Sequence, residues 1–239
     1  MADILSLLES AGISVSPASL LQLDAYLSML RDWNQRMDLT SVPDAEMAER
    51  HFLDSLLPLA RTPFFTPCAR LIDVGTGAGF PGLPIAIVRP DLTVVLLEAQ
   101  SKRCQFLQAV IEALRIPNAQ VCPSRAEIAG REEAHREQYD LAVARAVAPL
   151  NVLAEYLLPF VRVGGRALCW KGPAASEERL DGQAAANRLG GQLEDALPMD
   201  AGATGRVVIP LRKNEKTLPQ FPRKNGIPVK RPLKCDRTP

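Results

Sequence analysis

Apolar residues in the opening part of the chain recur at three-to-four spacing, at Leu20, Leu23, Leu27, Leu30 and Trp33, which predicts a helix with one buried face. Ser16 and Pro17 ahead of it supply an N-cap and a proline at the first helical position. A second helix is predicted to begin at Asp44 and run through Met47 toward Leu53, and the proline-bracketed residues 62–67 read as a linker. Beyond Ala69 the period changes. Short apolar runs now alternate with helical patterns: strand 69–74, helix from Pro81, strand 93–98, helix 102–114, a short strand at 119–122, strand 139–145, helix 150–158, a turn at Gly164-Gly165, and strand 166–171.

Strands alternating with helices imply an α/β fold, a mostly parallel twisted sheet with helices on both faces and an N-terminal helical cap. A helix over about 176–189 and a hairpin-like pair of strands near 193–197 and 206–211 are expected to close the sheet. The expected division is a cap over 1–66, a core over 67–212 and a basic, proline-rich extension over 213–239. With Pro219, Pro222, Pro228, Pro232 and Pro239, that extension is expected to be extended or mobile rather than helical.

The densest chemical signal is Leu71-Ile72-Asp73-Val74-Gly75-Thr76-Gly77-Ala78-Gly79-Phe80-Pro81-Gly82, a strand ending in an acidic residue and a glycine-rich turn. Glycine permits positive φ and a close approach of backbone to ligand. A dinucleotide fingerprint would place its third glycine at residue 80, which here is Phe80, so NAD is disfavoured. The pattern D-x-G-x-G-x-G instead resembles the first motif of Rossmann-like methyltransferases that use S-adenosylmethionine (SAM). Gly75, Gly77 and Gly79 are expected to face the methionine portion, with Asp73 accepting from its ammonium or bracing the loop and Phe80 flanking the ligand. Open α/β sheets bind ligands beyond the carboxyl ends of their strands. Glu98 ends the second strand, where a carboxylate can accept both ribose hydroxyls, and Ser124-Arg125-Ala126-Glu127 follows the third, offering Ala126 and Glu127 to an adenine or, equally, forming a helix capping box. Arg145, a cation closing the apolar fourth strand, is expected to be paired or functional.

Net charge is +1, but residues 206–239 hold ten Lys/Arg against Glu215 and Asp236, so the body is acidic and the terminal segment strongly basic. Such a segment suits a polyanion such as nucleic acid, or is merely a solvated tail. Five cysteines without a C-x-x-C pair predict reduced thiols and no metal. No apolar run reaches membrane-spanning length and the start lacks a signal-like pattern, so a cytoplasmic protein, a monomer away from membranes, is expected.

The acceptor can be narrowed. The fourth strand ends in Ala144-Arg145-Ala146-Val147, without the N/D-P-P-Y/F of exocyclic amine methylation, and Cys169 as a cytosine-type nucleophile lies between Leu168 and Trp170 in a packing context. Guanine N7 has an in-plane lone pair and no proton to lose, so a site with Arg145 and Lys171 but no evident base is compatible with it, though it does not demand it.

Several motifs in order resemble the bacterial RsmG family, also called glucose-inhibited division protein B: Trp33-Asn34 with Asp38-Leu39-Thr40, Arg50-His51-Phe52-Leu53-Asp54-Ser55, the glycine loop with Pro81-Gly82, Ser101-Lys102-Arg103, Arg125-Ala126-Glu127, Ala144-Arg145-Ala146 and a basic terminal motif from Phe221 to Leu233. The resemblance implies SAM-dependent methylation of N7 of one guanosine in the 530 loop of 16S rRNA, on free RNA or the small ribosomal subunit. It implies cofactor contacts at Gly75, Phe80, Ala126, Glu127 and Arg145, while His51 and Asp54 either border the active site or bridge the helical cap to the sheet; the catalytic candidates are the strand-end residues Arg145 and Lys171, together with His51. Glu98 stands where relatives often carry aspartate, and Asp38 where many carry asparagine. The alternatives are a SAM enzyme with another acceptor and a noncatalytic ribosome-binding module. The terminal segment is expected to add RNA affinity while leaving the cofactor pocket untouched; the alternative is that Phe221 and Leu233 fold back and pack on the core, tying both ligands to its stability.

Overall fold

The computed structural model describes residues 3–199 and 205–235. Helices α1 (Ile4–Ser10) and α2 (Pro17–Asn34) open the chain. The Ser16 side chain accepts from Ser19 N at 3.0 Å, the capping bond its sequence predicts. The second predicted helix is longer and less regular than its pattern suggested: a 3₁₀ turn (Asp44–Glu46), a π-helical turn (Ala48–Leu53) and then α3 (Asp54–Arg61). Pro58 sits inside α3 and has no N–H for the carbonyl of Asp54. The indole Nε1 of Trp170 donates to that carbonyl instead, at 2.9 Å, so a sheet residue replaces the missing helical bond. Residues 62–67 form the irregular connection into the sheet that the prolines predicted.

The core follows as β1 (Arg70–Val74), α4 (Gly82–Val88), β2 (Thr93–Glu98), α5 (Ser101–Leu114), β3 (Ala119–Pro123), α6 (Ala126–Ala129), β4 (Tyr139–Arg145), α7 (Leu150–Leu157), β5 (Val161–Lys171), α8 (Arg179–Arg188), β6 (Gly191–Leu193), β7 (Leu197–Pro198) and β8 (Val207–Lys213). The strand order is β3-β2-β1-β4-β5-β8-β6, with β7 also on β8. The first five strands are parallel, while β8 enters antiparallel between β5 and β6, so the antiparallel closure expected from sequence is present. Gly164-Gly165 does not form a separate turn. It is absorbed into β5 as an irregularity, where the partner of Tyr139 is Val161 and that of Leu141 is Arg166.

Period-two alternation gives the sheet two buried faces. Leu71, Leu96, Val143 and Leu168 pack with α4, α5 and the helical cap in one cluster that includes Leu23, Tyr26, Leu30 and Phe52. Ile72, Val95, Ala142 and Cys169 pack with α7 and α8 in the other. The cap therefore shares a core with the sheet.

The terminal segment is not the extended or mobile chain expected from its prolines but takes the alternative, with Phe221 and Leu233 folded back on the core. Phe221 and Leu233 are buried in the second cluster, and Gly226 initiates a short helix, α9 (Ile227–Lys230). Arg136 donates to the carbonyls of Thr217, Leu218 and Phe221, and Asn151 to that of Leu233. Arg223 pairs with the fully buried Glu155, its guanidinium and backbone N–H donating to that carboxylate at 2.6–3.0 Å. Charge composition hid this, because apolar anchors and one buried carboxylate outweigh the solubility of the remaining cations. Arg223→Ala, which strands Glu155 without a counter-ion, should lower unfolding free energy by about 3 kcal/mol, the low end for a buried pair because Arg223 keeps some water contact. A shift of the urea midpoint at constant slope is the measurement.

Candidate active site

The glycine loop between β1 and α4 is built from below. Asp73 accepts from Thr76 Oγ1 (2.6 Å) and Gly82 N (2.7 Å), tying the start of the loop to the start of the helix. Burial pushes its carboxyl up to about 6 against these hydrogen bonds, and its Oδ1 is buried without a partner. Asp73 thus braces the loop. Gly75 and Gly79 take φ of +71° and +103°. At Gly79 a Cβ would collide with the Tyr26 hydroxyl, which itself donates to the carbonyl of Ala78. Tyr26 belongs to the apolar stripe of α2, and a polar-tipped ring on a buried helix face was the signal that pattern reading passed over.

Two cavities flank this loop with Gly75, Glu98 and Val147 in common. One, of about 380 Å³, is walled by Thr76, Gly77, Ala78, Phe80, Arg103, Arg145, Thr40 and His51; the other, of about 220 Å³, by Ala99, Ser124, Ala126, Glu127, Tyr156 and Val229. The glycine loop, Glu98, Phe80, Arg145, Ala126 and Glu127 are thereby brought into one cleft across the carboxyl ends of β1, β2 and β4. Glu98 Oε2 accepts from Gly77 N (3.0 Å) and Oε1 from Gln100 N (2.8 Å). Each oxygen retains a lone pair for a further donor. Glu127 Oε1 accepts from Gly226 N at 2.9 Å, with the Tyr156 hydroxyl at 3.4 Å. The capping-box reading of Ser124 to Glu127 is not realised, as that carboxylate reaches the terminal segment.

Arg145 occupies the far end of the first cavity. Its guanidinium donates to Asp54 Oδ2 (3.0 Å), the Arg50 carbonyl (2.8 Å) and His51 Nδ1 (2.9 Å), and lies 5.2 Å from the Phe80 ring centroid. An arginine only donates, so His51 Nδ1 accepts and Nε2 carries the proton, which goes to Thr40 Oγ1 at 2.7 Å. Burial, reinforced by Arg145 and Arg50, holds the imidazole down at about 3. His51 stacks on Phe80 at 4.5 Å, and Phe80 on Tyr26 at 5.2 Å. The Trp33-Asn34 and Asp38-Leu39-Thr40 motifs acquire a physical role here: Asn34 Oδ1 accepts from Leu39 N and Thr40 N, folding the loop that presents Thr40 to His51.

A third cavity, of about 340 Å³, shares Arg145 and Ala146 with the first and is lined by Arg50, Asp54, Trp170, Lys171, Met199 and Arg206. Ala146 holds a positive φ of 56° between the two, a strained conformation of the kind that collects at functional sites. Arg206 lies 3.6 Å from Asp54 Oδ1, while Lys171 is bound to Glu178 (2.7 Å) and the Ala148 carbonyl. Cys169 is fully buried, and burial pushes its thiol up to about 12. Arg206 had no local motif, and Thr40, Val147 and Val229, though they lie within quoted motifs, were assigned no place in the cleft, which they reach only through the topology. No group of three or more metal-ligating side chains occurs among the described residues, and no helix there is long and apolar enough to cross a membrane.

Comparison with known proteins agrees with this arrangement. The architecture is like that of a predicted O-methyltransferase from Agrobacterium tumefaciens, with a TM-score of 0.54 at 19% identity over 68% of this chain and 81% of that one. It is also like the fibrillarin pre-rRNA processing protein of Methanococcus jannaschii, with a TM-score of 0.52 at 14% identity over 66% and 74%; identities this low establish the fold alone. Relatives named ribosomal RNA small subunit methyltransferase G are 45% identical in Symbiobacterium thermophilum, over 95% of both chains, and 42% identical in Roseiflexus castenholzii, over 98% of this chain and 100% of that one. The model of the GidB family, rRNA small subunit methyltransferase G, matches residues 19–200. A glycine loop braced by Asp73, an acidic second strand end and a cap-anchored arginine thus stand in a chain that belongs to the rRNA small subunit methyltransferase G family, enzymes that methylate ribosomal RNA.

Proposed function

We propose that the protein transfers a methyl group from SAM to N7 of a guanosine in the 530 loop of 16S rRNA. The observation that carries the reading is the series of three cavities along the strand ends, cofactor-sized on one side of Arg145 and cation-lined on the other, with no free general base at the junction among the described residues.

The residues fit the cofactor. Its sulfonium supplies a methyl group activated for attack by a neutral lone pair. The cation-favouring region above Asp73, with its unsatisfied buried oxygen, suits the charged methionine end. Glu98, common to both cofactor cavities, is the acceptor for the ribose hydroxyls, and the pocket beside Ala126 holds the adenine. The cavity beyond Ala146 receives the acceptor nucleotide. There Arg50 and Arg206 can meet phosphate or the O6 edge of guanine, and Asp54 can accept from a donor edge. Arg145 is fixed by four neighbours and needs no rearrangement to wall both ligands, so it contributes by holding the reactants in line. Lys171, tied to Glu178, supports this wall rather than moving a proton.

His51 is likewise a positioning residue. Its accepting nitrogen is spent on Arg145 and its proton on Thr40, which matches a reaction with no proton to remove.

Mass mapping of 16S rRNA modifications with and without this protein tests the reading; a methyl on another base, or none, refutes it. Three variants test the parts. Glu98→Ala should weaken calorimetric SAM affinity by roughly 1–3 kcal/mol while the protein remains folded, and an unchanged affinity removes Glu98 from the ribose. Cys169→Ala should keep turnover within a factor of about two, since the buried neutral thiol is packing rather than nucleophile; an abolished rate at normal SAM affinity would point to cytosine chemistry. For His51, the unfolded chain binds more protons than the native state between about 3 and about 6.5. Native stability relative to His51→Gln should therefore rise with pH across that window and stay constant above it, as followed by chemical denaturation, and methylation should show no inflection from this imidazole.

A further inference from the structure

The terminal segment, residues 221–234, faces two ways. Inward, it is anchored by Phe221, Leu233 and the Arg223–Glu155 pair, places Val229 in the wall of the cavity beside Ala126, and joins Gly226 N to the Glu127 carboxylate. Outward, it carries Lys224, Lys230, Arg231 and Lys234, all exposed. The cations and the cavity wall therefore belong to one folded strap, and Val229 and Lys230 are neighbours in a single turn of helix.

We propose that this strap is an RNA-docking surface that couples rRNA binding to retention of the cofactor. It rests on the reading that the cavity beside Ala126 takes the adenine. RNA phosphates bind the outward cations by counterion release, and they bind the docked strap more tightly than a lifted one because docking already holds these cations in a fixed array whose ordering a lifted segment would have to undergo on binding. Engagement of phosphate by a docked strap lowers the population in which the strap has lifted from Glu127, and that population is one in which the adenine cavity lacks a wall. Ligand on either side therefore stabilises the same docked arrangement, and linkage makes the effect reciprocal: RNA tightens cofactor binding by the factor by which cofactor tightens RNA binding. The cofactor pocket is then not independent of the terminal segment, contrary to the expectation from sequence.

The test uses the full chain, an unmodified 16S rRNA transcript and S-adenosylhomocysteine, the demethylated cofactor, so that no turnover intervenes. In the unsubstituted protein, saturating transcript should tighten S-adenosylhomocysteine binding by about fivefold or more. Replacing Lys224, Lys230, Arg231 and Lys234 together by Gln should leave affinity for S-adenosylhomocysteine alone unchanged, lower the log-log salt slope of RNA binding by roughly 2–4, and abolish the tightening. Val229→Asp should weaken S-adenosylhomocysteine binding several-fold in the absence of RNA while leaving the salt slope in place. No tightening in the unsubstituted protein, an unchanged salt slope in the quadruple variant, or full cofactor affinity in Val229→Asp overturns the proposal. Failure of the functional reading would appear elsewhere, as absence of methylated guanosine in the transcript or subunit.

Discussion

The guanidinium of Arg145 is the point on which the arrangement of the cleft depends. It ends a strand of the sheet, yet three of its contacts, Asp54, His51 and the Arg50 carbonyl, come from the helical cap. Burying an arginine is unfavourable unless its donors are met, so the sheet cannot hold this charge at its edge without the cap, and the cap is thereby oriented over the glycine loop. His51, Phe80 and Tyr26 then stack in that order beside it. The glycine loop, the cap and the cavity beyond Ala146 meet at one cation.

A second constraint supports the first. Pro58 interrupts the hydrogen-bond ladder of α3 one turn after Asp54, and the Trp170 indole takes the released carbonyl. The backbone of Asp54 is thus fixed from β5 while its side chain is fixed from β4. A residue that touches both Arg145 and Arg206 has its position determined by the sheet although it is carried by a helix.

Strand and helix alternation, the parallel order and the glycine loop were legible because each is a local pattern: apolar period, β-branched runs, glycines where φ is positive. Glu98 and Arg145 were legible for a related reason, as charged residues closing apolar strands. Tyr26, Arg206, Trp170 and the place of Val229 in a cavity wall were not, since their contribution arises from contacts across long sequence separations, for which no spacing rule exists. For the terminal segment the fold-back of Phe221 and Leu233 prevails over the solvated tail for an energetic reason. Its prolines and cations describe a solvated chain, whereas its conformation is decided by two apolar anchors and by Glu155, a carboxylate on a helix 68 residues earlier that has no other cationic partner among the described residues.

That carboxylate has a consequence for how the chain is made. Glu155 lies in α7, between β4 and β5, and Arg223 is polymerised after every strand of the sheet. During synthesis a nascent chain can hold all its strands and still contain an anionic group that the finished core would bury without compensation. Until the late segment arrives Glu155 has no counter-ion, and the cavity beside Ala126 gains its Val229 wall only with the last part of the chain to be made.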